Sequence, residues 1–231
     1  MLALAFAPNG NSMNTKLAIL YLLGASPLAC SSTVTGTGQP PGDKGAADGT
    51  SGNGGNAGNA GGAGKRIFVT SQTYNGALQL AVPRSTSGLA AADALCQLAA
   101  DGAELRGKFK AYLADTTRGP SDDLADVGPW FSVSNRQMPR KVFNNKANLS
   151  TAPLSSFNQD EFGADVVGLA WTGVGGSNCA NWTSSSSPSS SSLSDGLGSV
   201  GQGGAPSGAW RTIANDRFYC SDEARLYCLE Q

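Results

Sequence analysis

The 231 residues include no histidine. That removes the commonest general base, the Ser-His triads and every imidazole metal site. Few groups are left that could do chemistry. Asp160 and Glu161 are adjacent carboxylates. Glycoside hydrolysis needs two carboxyls flanking one bond at a defined separation, and neighbouring side chains usually diverge, so at most one of this pair could serve. Asp115, Asp122, Asp123 and Asp126 sit where helix caps and surface groups are expected. The serines from Ser184 to Ser194 have no base beside them in sequence, which argues against nucleophilic catalysis. No catalytic residue, metal ligand or cofactor is assigned, and a non-enzymatic role is expected.

Groups suited to binding are more plentiful. Arg136, Arg140, Lys141 and Lys146 cluster between positions 136 and 146. They read either as a patch for an anion or acidic polysaccharide, or as a solvated loop offset by nearby acids. Trp182 has the flat face that stacks on sugars, and equally the bulk of a core residue. Asn215 and Asp216 offer oxygens to a ligand, or turn the chain between strands. The candidate ligand-binding set is therefore Arg140, Lys141, Trp182, Asn215 and Asp216.

A formal net charge of −1 gives no electrostatic reason to bind nucleic acid. Charged residues make up only 14%, so Ser, Thr, Asn and Gln carry the polar surface, a balance commoner outside the cell than in the cytosol. Residues 1–30 read as a secretory signal: Lys16, an apolar run from Leu17, then small residues up to Cys30. The run to Ala29 is shorter than the roughly 20 residues that span a bilayer. Met13 gives a better basic start than Met1. Leu28-Ala29-Cys30 resembles the lipobox of bacterial lipoproteins, with Pro27 where that family usually has Leu. The resemblance implies acylation of Cys30 and anchoring in outer-membrane lipid; the alternative is a conventional signal peptide. Residues 31–64 are rich in Gly, Ser, Asn and Ala and lack the large apolar residues of a core. They read as a flexible tether spanning about 30 Å.

The elements that must position these groups lie in 65–231. Arg66 to Thr70 predicts a first strand. Ser87 predicts the cap of a helix from Gly88 to Asp101 with Gly102 as its stop, and Leu89, Ala92, Cys96 and Ala99 recur on one face. Gly107 to Asp115 alternates, with Phe109, Ala111 and Leu113 on one side. Ser121 to Val127 predicts a short capped helix ended by Gly128-Pro129. Residues 132–162 read as polar and irregular, Leu169 to Val174 as a core strand, and Ser184 to Gly204 as an exposed loop. Ala209 to Ile213 and Ala224 to Leu229 supply the last strands. Leu226 and Cys228 are expected inside, Arg225 and Tyr227 on the opposite face.

Cys96, Cys179, Cys220 and Cys228 allow three pairings, and spacing alone does not choose among them. Free buried thiols are the other reading. The Cys96 helix, Trp171-Thr-Gly-Val174, Cys179 and the terminal Cys220…Cys228 together resemble the C-type lectin-like domain. Within it, Ile67-Phe-Val-Thr-Ser71, Gly107-Lys-Phe-Lys-Ala111, Trp182-Thr183 and Leu226-Tyr-Cys-Leu-Glu-Gln231 resemble bacterial exported domains of unknown function, distantly endostatin-like. The resemblance covers residues 65–231. It implies an α+β fold with mixed, twisted antiparallel sheets, two helices, a long-loop region, and disulfides Cys96–Cys228 and Cys179–Cys220. Sugar-binding members hold Ca²⁺ through Glu-Pro-Asn or Gln-Pro-Asp, both absent here, and a Trp-Asn-Asp that Ala214-Asn215-Asp216 echoes only in part. Calcium-dependent binding is therefore not expected. The expected role is non-catalytic recognition of a surface polysaccharide or protein through loops 128–162 and 175–216. A structural envelope protein, or a polysaccharide-modifying enzyme using Glu161, are the alternatives.

Overall fold

The computed structural model describes residues 64–134, 138–187, 196–205, 207–213 and 218–231. Cys30, Arg136, Asn215, Asp216 and the serines after Ser187 up to Ser194 lie outside the described residues. The alternating Lys65–Val69 run forms β1, with Phe68 facing one way and Ile67 and Val69 the other. A single turn, α1 (Leu78–Ala81), leads to the long helix α2 (Gly88–Gly102). As its sequence predicts, Ser87 caps α2 by accepting from the Ala90 N–H, and Leu89, Ala92 and Cys96 are buried. Then follow β2 (Phe109–Ala111), β3 (Trp130–Ser132), β4 (Lys141–Phe143) and β5 (Ala170–Trp171). A third helical segment, α3 (Cys179–Trp182), precedes β6 (Leu197–Gly198), β7 (Val200–Gly201), β8 (Phe218–Tyr219) and β9 (Arg225–Glu230).

The main sheet runs β4-β3-β1-β9-β5-β7, with β2 also on β9; β6 and β8 pair separately. It is mixed: β1–β3 and β5–β9 are parallel, the other pairings antiparallel. The sheet separates two cores. Phe68, Phe109, Ala111, Leu113, Leu226 and Cys228 join α2 in the first. Ile67, Val69, Tyr112, Tyr227 and Leu229 join Trp130, Phe143, Phe157 and Trp210 in the second. Tyr227 is thus on the face opposite Leu226, as expected, but that face is a core too, which leaves its ring 1% exposed. Both disulfides form: Cys96–Cys228 ties α2 to β9, and Cys179–Cys220 ties α3 to the chain after β8.

Several expectations fail locally. Ser121–Val127 makes turns, not a helix. The Asp122 carboxylate accepts from Gly119 N–H, Leu124 N–H donates back to the Ser121 carbonyl in a single turn, and Ala125 N–H leaves the segment for Gln231 Oε1. Ala209–Ile213 is not a strand; Gly208–Trp210 is a 3₁₀ turn that seats Trp210 in the second core. Residues 132–162 are not all irregular, because Val142, Phe143, Leu149 and Phe157 are buried and order β4 and a 3₁₀ turn at Lys146–Ser150.

Candidate functional site

The chain's four tryptophans, Trp130, Trp171, Trp182 and Trp210, are all fully buried. Each indole N–H donates to a backbone carbonyl: Glu230, Tyr74, Ala114 and Thr151, respectively, at 2.7–2.9 Å. A sugar-stacking Trp182 is therefore corrected to a core residue, its ring set edge-on to Trp171 at 5.7 Å. Trp182 closes an unusual turn. Cys179, Ala180, Asn181 and Trp182 all have positive φ, between 51° and 65°. Trp182 N–H and Thr183 N–H donate to the Asn178 and Cys179 carbonyls, so α3 is one turn of left-handed helix. That hand costs an L-residue roughly 1–2 kcal/mol, and surrounding contacts hold it. Cys179 is disulfide-bonded, Asn178 Oδ1 accepts from Asn181 N–H, and Asn181 Oδ1 accepts from Thr116 N–H. Gly88 lies against the turn, where a Cβ would collide with the Asn181 carbonyl and the Trp182 side chain.

Asp160 and Glu161 are 6% and 4% exposed and are used within the fold. Asp160 Oδ1 accepts from the Phe162 and Ala164 amides and forms the tight turn. Glu161 accepts from the Ser71 amide and hydroxyl. Lys146 Nζ donates to the Leu124 carbonyl, which removes it from the basic cluster. Arg140 and Lys141 are exposed at β4, whose inward residues belong to the second core, whereas Trp182 belongs to the first. Among the described residues no group of three acidic or cysteine side chains is placed to hold a metal.

Described residues line two cavities of different size, among others. The smaller, about 120 Å³, lies where the 158–168 and 202–204 segments meet. Val69, Val166, Asn158 and Gly203 line it, with the Tyr227 ring at its base. The Tyr227 hydroxyl has no hydrogen-bond partner among the described residues, and burial holds its pKa well above the usual phenol value.

The larger is an open cleft of about 590 Å³ between α2, β2 and the 123–125 turn. It lies outside both loops singled out from the sequence. Its walls follow from how β2 is held. One edge of β2 pairs with β9. On the other, Phe109 N–H donates to Gln97 Oε1 and Ala111 N–H to Asp93 Oδ1, both at 2.9 Å. Four helical residues rise about 6 Å and two strand residues about 6.7 Å, so acceptors at i and i+4 match amides at i and i+2. Helix side chains thus complete the second edge of β2. The arrangement brings Asp93 Oδ2 within 3.7 Å of Lys110 Nζ, with each side chain about one-third exposed (33% and 38%). Lys110 Nζ also donates to the Asp123 carbonyl at 3.1 Å. Burial raises the Asp93 carboxyl above its ordinary value, against the lowering effect of the Ala111 amide and Lys110. Ala94 and Ala125 give the cleft accessible apolar surface, backed by the buried Phe109 and Leu124. The sequence did carry a signal for it: Asp93, Gln97 and Asp101 recur four apart on a helix otherwise built of Ala, Leu, Gly and one Cys.

No family model matches the chain, and no curated protein matches it.

Proposed function

We propose that the domain is a non-catalytic recognition module with a C-type lectin-like fold, displayed from the cell envelope on the 31–64 tether. The observation that carries this is the open cleft between α2 and β2, within the 300–1,000 Å³ range of ligand sites and combining apolar walls with a few polar groups. The carboxylates Asp160 and Glu161 support a binding role over hydrolysis, since Asp160 Oδ1 and both Glu161 oxygens are already engaged by backbone and Ser71. The two disulfides support export to an oxidising compartment. Export would proceed through the 1–30 signal, with Cys30 acylated and held in outer-membrane lipid. The ligand is a surface polysaccharide or protein, bound without calcium. A glycan array combined with a pull-down from envelope extract tests the reading: a ligand is expected, and its binding should survive chelation. Turnover in a hydrolase panel with no ligand retained would overturn it in favour of an enzyme. Silence in all three assays would favour a structural envelope protein.

A further inference from the structure

Resting on the reading of the domain as a recognition module, we propose that the Asp93–Lys110 pair is a subsite for the vicinal diol of an uncharged sugar. Asp93 Oδ1 is engaged by the Ala111 amide, whereas among the described residues Oδ2 is paired with the Lys110 ammonium at 3.7 Å. That exceeds hydrogen-bond distance, so the carboxylate oxygen can still accept. Lys110 carries three donors, and one is used by the Asp123 carbonyl. An acceptor and a donor therefore stand side by side at the lip of the cleft. A hydroxyl both donates and accepts. Of two neighbouring sugar hydroxyls, one can donate to Asp93 Oδ2 while the next accepts from Lys110 Nζ.

Charge gives ionic ligands no net attraction. Among the described residues lining the cleft, Lys108 and Lys110 balance Asp93 and Asp123. An ion of either sign is offset by the opposite pair, whereas a neutral polyol can donate to the carboxylates and accept from the ammoniums at once. Ala94 and Ala125 offer apolar surface to the C–H face of a sugar ring. Burial raises the Asp93 carboxyl, so a further donor from the ligand would favour its charged form.

The test titrates the full chain with neutral oligosaccharides of glucose, mannose and galactose. In parallel go the same oligosaccharides after periodate cleavage of their diols, and uronate-bearing counterparts. Binding is expected for an intact neutral oligosaccharide, with loss after periodate and no gain from the uronate charge. Asp93→Asn keeps an acceptor for the Ala111 amide and turns the second oxygen into a donor; Lys110→Met keeps the aliphatic stem. Each is expected to weaken binding about tenfold or more, the size of a lost charge-assisted hydrogen bond, while the melting temperature stays close to that of the parent. Neutral-sugar binding at full strength in both variants overturns the subsite and leaves the recognition role standing. Capture of a protein partner with no sugar bound does the same. Failure of every sugar and every partner to bind the parent chain removes both.

Discussion

Trp182 has an apolar body and a polar tip, and the fold uses both internally. Its ring fills the first core and its N–H satisfies the Ala114 carbonyl. Trp182→Ala is expected to cost about 3–5 kcal/mol, read by urea unfolding. Such a variant would lose ligand binding by unfolding and so says nothing about a binding surface. Asp93 is the more informative residue. Asp93→Leu leaves the Ala111 amide without its acceptor and is expected to cost about 1–3 kcal/mol, whereas Asp93→Asn should fall within about 0.5 kcal/mol of the parent. The raised carboxyl also sets a pH signature. The folded chain holds this proton more tightly than the unfolded chain does, so the residue's contribution falls as pH rises from about 4, the unfolded value, through the raised folded value. Unfolding curves across that window should be flatter in Asp93→Asn. At this scale the sequence was least readable. Whether a tryptophan or a carboxylate faces solvent depends on contacts from distant segments, as Glu161 with Ser71 and Trp182 with Ala114 illustrate.

Elements with a long, regular pattern were legible before the structure. β1, α2 and β9 follow their periodicity, and the Ser87 cap is where expected. Short elements were not. β4 is three residues in a polar stretch, and its identity comes from Val142 and Phe143 docking on the second core. The acids near Ser121 look like helix caps, but Asp122 closes a turn onto Gly119 instead. The left-handed α3 turn had no signal at all, because Cys-Ala-Asn-Trp contains no glycine and the hand is imposed by tertiary contacts. Gly88 reverses the usual sign of a helix substitution. Gly→Ala in a helix normally gains roughly 0.5–1 kcal/mol. Here the added methyl meets the Asn181 carbonyl, and Gly88→Ala is expected to lose about 1–3 kcal/mol. A stabilised variant by calorimetry would show that α3 can shift.

On the scale of the whole molecule, the two disulfides act at different ranges. Cys96–Cys228 has a sequence separation of 132 and Cys179–Cys220 one of 41. Chain-entropy arithmetic assigns about 5 and about 4 kcal/mol to these closures, a large part of a typical net stability of 5–15 kcal/mol. The double variant Cys96→Ser/Cys228→Ser is expected to lose more than Cys179→Ala/Cys220→Ala if chain entropy alone decides. Should the second prove more damaging by denaturant titration, the excess measures how far that bond also holds the left-handed turn. The pairing itself was not legible from spacing, since four cysteines on their own leave three choices.

The Cys179–Cys220 bond holds its two Cα atoms 5.5 Å apart, whatever chain runs between them. It also persists after unfolding, so the cost of closing that ring is already present in both states. Added length inside it changes closure entropy by only about 0.6 kcal/mol per doubling even without this cancellation. The serine-rich stretch from Ser184 to Ser194 is therefore a natural place for the protein to vary in length, or to accept a grafted peptide. Insertion of a Gly/Ser octapeptide there is expected to shift the unfolding free energy by less than about 0.5 kcal/mol, and a larger loss on denaturant titration would mean that the stretch is itself part of the packed structure.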